Sequence, residues 1–181
     1  MDQYEALKYY FGHSQFRQGQ EALINAILSG RDVLGIMPTG GGKSLCYQIP
    51  ALVLEGVTVV ISPLISLMKD QVAALSEAGI QAAYLNSTLT PQQMQLVYQR
   101  TREGAYQLLY VAPERLDTAE FSALVEQISV PLVAVDEAHC ISQWGQDFRP
   151  SYLNIAAFVQ RLPRRPVVAA FTAPATGEVQ A

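Results

Sequence analysis

The chain has 181 residues, half of them hydrophobic, which is enough for one packed domain and too apolar for a disordered one. Its net charge of −4 excludes a general basic coat for nucleic acid, while leaving room for a local contact surface. Two cysteines, Cys46 and Cys140, neither in a Cys-x-x-Cys pair, exclude a disulfide framework or zinc site and point to a reducing, cytoplasmic compartment.

Short β-branched runs alternate with longer helical patterns along the whole chain. A helix is expected over Gln18–Leu28, then a strand over Asp32–Met37 and a helix over Ser44–Leu54. Next come strand Thr58–Ser62, helix Leu64–Ala78, strand Ala82–Leu85, helix Pro91–Glu103 and strand Gln107–Val111. Helix Thr118–Gln127, strand Leu132–Asp136, helix Tyr152–Arg161 and strand Val167–Thr172 complete the series. Near-continuous apolar strands separated by helices predict a three-layer α/β domain over residues 1–181, its mainly parallel sheet covered on both faces. Ligands in such sheets bind beyond the carboxyl ends of the strands, where Met37, Ser62, Pro113, Asp136 and Thr172 all fall. The basic group Arg161, Arg164 and Arg165 reads as a solvated helix end. No apolar run approaches the roughly 20 residues that span a bilayer, and the N-terminus MDQYEALKYY lacks a signal peptide's pattern. No membrane contact is expected.

Two stretches carry phosphate chemistry. Met37-Pro38-Thr39-Gly40-Gly41-Gly42-Lys43-Ser44 places three glycines between a strand and a helix. Glycine lets the backbone curl so that its N–H groups face phosphate oxygens, while Lys43 supplies a cation and Ser44 a hydroxyl ligand for Mg2+. The strict pattern has glycine where this chain has Met37. Asp136-Glu137-Ala138-His139 follows the apolar strand VPLVAV. There Asp136 is placed to hold the same Mg2+, and Glu137 to take a proton from an attacking water. His139 is either a coupling residue or a satisfied polar side chain.

With the run His139-Cys140-Ile141-Ser142-Gln143-Trp144-Gly145-Gln146-Asp147-Phe148-Arg149-Pro150, the chain resembles the first RecA-like motor domain of the RecQ family of superfamily 2 DNA helicases. The resemblance implies a RecA-like P-loop NTPase fold, ATP with Mg2+ as cofactor, no zinc in this segment, and single-stranded and partly duplex DNA as partners. It implies ATP-driven 3′ to 5′ tracking and unwinding in recombination and repair, in the bacterial nucleoid or a eukaryotic nucleus. The aromatic-rich loop implies a DNA-sensing role for Trp144, Phe148 and Arg149; Gln146 stands where the family commonly has histidine.

Phe11-Gly12-His13-Ser14-Gln15-Phe16-Arg17-Gln18-Gly19-Gln20 resembles the family's adenine-recognition element, with Gln20 for the base edge and His13 and Arg17 as flat groups against its faces. The run from Ser62 to Gln71 resembles a DNA-backbone contact, carried by Ser62 or Ser66, with Lys69 either joining it or simply solvated. Tyr110–Leu116 resembles a second such contact, and Asn86-Ser87-Thr88 is either a polar contact or a plain turn. Phe171–Thr176 resembles the element that links hydrolysis to strand movement, with Pro174 replacing the more usual threonine.

The resemblance also implies a second RecA-like domain, supplying arginine fingers, beyond this segment. The segment alone is expected to bind ATP weakly and not to unwind. Two other readings remain: an RNA helicase of the Asp-Glu-Ala-Asp/His kind, and a non-catalytic nucleic-acid-binding module with a vestigial P-loop.

Overall fold

The computed structural model describes residues 1–38, 42–137 and 148–172, with the backbone alone for 148–154. Its centre is a six-stranded sheet, every pair parallel, in the order β1-β6-β5-β2-β4-β3. The strands are β1 (Val33–Ile36), β2 (Thr58–Ile61), β3 (Ala82–Leu85), β4 (Leu108–Val111), β5 (Leu132–Val135) and β6 (Val167–Thr172). β2, β4 and β5 are buried at every position because helices cover both of their faces, as their unbroken apolar sequences require.

One face carries α2 (Gln20–Leu28), α3 (Leu45–Val53) and α4 (Ile65–Glu77). Ile27, Tyr47, Ala51, Met68 and Leu75 pack there onto Val60, Tyr110, Ala134 and Phe171. The other face carries α5 (Pro91–Arg102), α6 (Ala119–Val125) and α7 (Phe148–Arg161), with Tyr98, Phe121, Leu124 and Phe158 against Val59, Leu109 and Val133. A short 3-10 turn, Pro113–Arg115, follows β4.

Each strand lies within one residue of its expected bounds, and the helices from α2 to α6 lie where the apolar pattern places them. Two differences stand out. Helix α1 (Gln3–Phe11) is an addition: Asp2 and Glu5 form a reciprocal capping box and Gly12 ends the helix at φ 72. It packs Ala6 and Leu7 on Ile24 of α2 and Ile49 of α3, forming an outer layer. Helix α7 begins at Phe148 rather than Tyr152, because proline is tolerated in a first helical turn.

The arginine group at the end of α7 is exposed, as a solvated helix end requires, and two of its members also make contacts. Arg161 donates to the Leu116 carbonyl, and Arg165 forms a two-pronged pair with Asp32 just before β1, at 3.1 and 2.6 Å. Asp32 also accepts from the Val168 N–H at 2.9 Å, so one carboxylate ties the start of β1 to β6. β1 is the outer strand on this side. Gly35 faces Leu23 and Phe171, while Leu34 and Ile36 point the other way and are 63% and 62% exposed.

Candidate nucleotide site

The carboxyl ends of the strands form one rim, and the chemistry collects there. β1 leads through Met37, whose N–H donates to the Thr172 carbonyl at 2.9 Å, towards Lys43. β5 leads to Asp136, whose N–H donates to the Ile61 carbonyl at 2.9 Å. β6 separates these strands, so two sheet spacings of about 4.8 Å lie between them.

Lys43 bridges that gap. Its Nζ lies 2.6 Å from Glu137 Oε1 and 3.4 Å from Asp136 Oδ1. All three side chains are at least 85% covered: their exposures are 9% for Lys43, 6% for Asp136 and 15% for Glu137. Glu137 adopts φ 54, a left-handed conformation uncommon outside glycine, and its N–H donates to Asp136 Oδ1 at 3.0 Å. Backbone strain of this kind gathers at working sites. Burial holds the Asp136 carboxyl above its ordinary range; Lys43 opposes that shift and the Glu137 charge adds to it.

A cleft of about 470 Å³ opens beside this triad. It is lined by His13, Arg17, Gln20, Gly42, Lys43, Ser44, Asp136 and Glu137, all given a role from the sequence, and by Leu7, Gln15, Leu45 and Gln71, which were given no role in this site. Gln71 stands on α4, inside the run from Ser62 that was read for DNA contact.

Gln20 is 1% exposed, and its carboxamide is engaged at both ends. Oε1 accepts from the Arg17 N–H at 2.8 Å and Nε2 donates to the Gly42 carbonyl at 2.9 Å. One N–H and one lone pair are left for a base edge. Gly42 sits at φ 85, where other residues are strained, and a Cβ there would lie 2.4 Å from Gln20 Nε2, which would have to give way.

Other residues named from the sequence do not line the cleft. Ser62 is 2% exposed and its hydroxyl accepts from the Leu64 N–H at 3.2 Å, so it shapes the turn into α4 and is not presented to a strand. Ser66 and Lys69 on α4 are exposed. Asn86 is buried and organises its own turn, accepting from Thr88 N–H at 2.9 Å. Thr39, Gly40, Gly41, His139, Trp144, Gln146, Pro174 and Thr176 lie outside the described residues, as do the side chains of Phe148 and Arg149, whose backbone opens α7.

Hard oxygen donors fit a divalent cation here. Asp136, Glu137 and the Ser44 hydroxyl share the cleft, and the Lys43 ammonium already sits where positive charge is needed. No helix among the described residues is long and apolar enough to cross a membrane.

The DEAD/DEAH box helicase model matches residues 17–181. The chain is 58% identical over 174 residues to the ATP-dependent DNA helicase RecQ of Bacillus subtilis (strain 168), covering 96% of this chain and 29% of that protein. It is 53% identical over 163 residues to the protein of the same name from Haemophilus influenzae, covering 90% of this chain and 26% of that one. The chain thus spans less than a third of the length of these relatives. Among solved structures, the DUF1998 helicase MrfA bound to DNA matches with a TM-score of 0.77 at 18% identity, covering 96% of this chain and 26% of that one. A hypothetical ATP-dependent RNA helicase from Sulfolobus tokodaii matches at 0.73 and 20% identity, covering 98% of this chain and 52% of that one. At these identities the likeness is one of fold, the RecA-like fold. Fold, rim and sequence similarity converge: the chain belongs to the DEAD/DEAH box helicase family.

Proposed function

We propose that this chain is the ATP-binding lobe of a RecQ-like DNA helicase that couples ATP hydrolysis to movement along single-stranded DNA. The observation that carries the reading is the meeting of Lys43 with Asp136 and Glu137 at the mouth of one cleft.

Adenine enters between His13 and Arg17, with the remaining N–H and lone pair of Gln20 on its edge. The phosphates lie against the Gly42–Ser44 turn, and Lys43 swings from the acids to the β- and γ-phosphates. Ser44 and Asp136 would hold Mg2+, which shields the phosphate charge when bound. Glu137 then accepts a proton from the attacking water. A second RecA-like domain in the longer protein supplies the arginine that stabilises the transition state; without one, turnover falls by about three to five orders of magnitude.

The test has two parts. Titration of the 181-residue chain with ATP in Mg2+ should show binding that Lys43→Ala removes, and Gln20→Ala should erase its preference over GTP. In the longer protein, single-stranded DNA should stimulate ATP hydrolysis more than RNA of the same length. Stimulation by RNA alone would overturn the DNA assignment, and retention of ATP binding by Lys43→Ala would overturn the site.

A further inference from the structure

Three polar side chains meet in the layer between α3 and the sheet. Tyr47 and Gln48 follow Lys43 and Ser44 by one helical turn, and Tyr110 lies on β4. The two tyrosine hydroxyls are 3.2 Å apart, and Gln48 Nε2 donates to the Tyr110 hydroxyl at 3.2 Å. Both tyrosines are 0% exposed.

Strand register places this trio beneath the acid pair. Tyr110 is level with Val60, and Val60 with Ala134. Val135 is level with Ala170, so Phe171 comes level with Asp136. The Tyr47 ring touches both ends of this span, with centroids 6.3 Å from Tyr110 and 5.7 Å from Phe171. It therefore crosses the strand that ends in Asp136. Leu132 and Ala134 belong to the α3-side core, and alternation along β5 sends Asp136 out on that same face.

A proton count sharpens the picture. Each tyrosine brings one hydroxyl proton, and one of the two makes the link between them. Gln48 adds a donor and no acceptor to Tyr110. Among the described residues no side chain or carbonyl accepts the second hydroxyl proton. Burial above all, with the Asp136 charge adding to it, keeps both phenols protonated.

We propose that Tyr47, Tyr110 and Gln48 are positioning residues of the nucleotide site, tying the first turn of α3 to the sheet beneath Asp136 and offering that carboxylate a neutral donor when Lys43 leaves it. The inference rests on the ATP–Mg2+ reading of the cleft. Lys43 now answers the Asp136 charge from 3.4 Å, and ATP draws that cation away to the phosphates. A hydroxyl can take up the role without competing with the metal for phosphate. Packing alone does not explain the trio, because two phenylalanines fill the same space without buried hydroxyls.

Nucleotide titration of the chain separates the two explanations. Tyr47→Phe and Tyr110→Phe should each weaken ATP binding in Mg2+ by about tenfold, the size of one hydrogen bond to a charged group. ATP affinity in EDTA should stay close to wild type, and the loss in Mg2+ should exceed what any shift in melting temperature accounts for. The double variant should be no worse than either single one, since one hydroxyl acts on the carboxylate through the other. Gln48→Leu is the second probe should a phenylalanine variant fail to fold, and it should show the same magnesium-selective loss. Unchanged Mg2+-ATP affinity, an equal loss with and without Mg2+, or a loss that tracks melting temperature would overturn the inference while leaving the nucleotide site in place. A wild-type chain that binds no ATP in either buffer would remove both.

Discussion

Lys43 Nζ and Glu137 Oε1 lie 2.6 Å apart although 94 positions separate them in the chain. The contact joins the turn after β1 to the turn after β5 and closes the rim. Lys43 therefore has a structural task as well as a phosphate-binding one.

Lys43→Ala should destabilise the nucleotide-free chain by about 3 kcal/mol, because it leaves two buried carboxylates without a cation. Urea unfolding measures this. Adding Asp136→Asn should recover part of the loss; strictly additive effects would show that the acids do not depend on the lysine.

Asp136→Asn alone should leave the nucleotide-free chain as stable at pH 7 or raise its stability by about 1 kcal/mol, while removing Mg2+-dependent ATP binding. The folded carboxyl titrates above its ordinary 3.8, so between 3.8 and the folded value the native state holds more protons than the unfolded one. Stability from this group thus falls as pH rises through that window, and Asp136→Asn should flatten that slope. A steeper slope in the variant would contradict the assignment.

Gly42→Ala combines a left-handed backbone penalty of about 1 kcal/mol with a clash at Gln20 Nε2. ATP affinity should fall by about tenfold. In a Gln20→Ala background the same substitution should cost less, since only the backbone penalty remains. Equal losses in both backgrounds would rule out the contact as the cause.

Asp32→Ala should lower the melting temperature by loosening β1 from β6. The Arg165 guanidinium, followed by the Val168 N–H, holds the Asp32 carboxyl below its ordinary range. Its contribution is thus present above pH 3.8 and fades as pH falls through the lower folded value. Both side chains are well exposed, at 46% and 64%, so screening keeps the effect small and added salt should shrink it. A salt-independent loss would assign the effect to the Val168 bond instead.

The sheet was legible because buried parallel strands announce themselves as unbroken runs such as TVVI and LVAV. The rim followed, since a motif placed at a strand end inherits that strand's position. Helix α1 was missed although Asp2 and Glu5 spell a capping box, because its apolar face is narrow and only Ala6 and Leu7 are buried. What sequence hides is pairing at long range. Nothing in the order of residues says that Arg165 will find Asp32 or that Gln20 will hold Gly42. Those outcomes depend on which strands lie side by side, and β1 beside β6 is a choice made by packing.

The uncovered side of β1 has a practical consequence. Leu34 and Ile36 form a greasy strip next to a row of backbone donors and acceptors that no neighbouring strand takes up among the described residues. Such a seam is adhesive. Concentrated solutions of the 181-residue chain should self-associate through it, visible by light scattering, and Ile36→Lys should keep them monodisperse without touching the cleft.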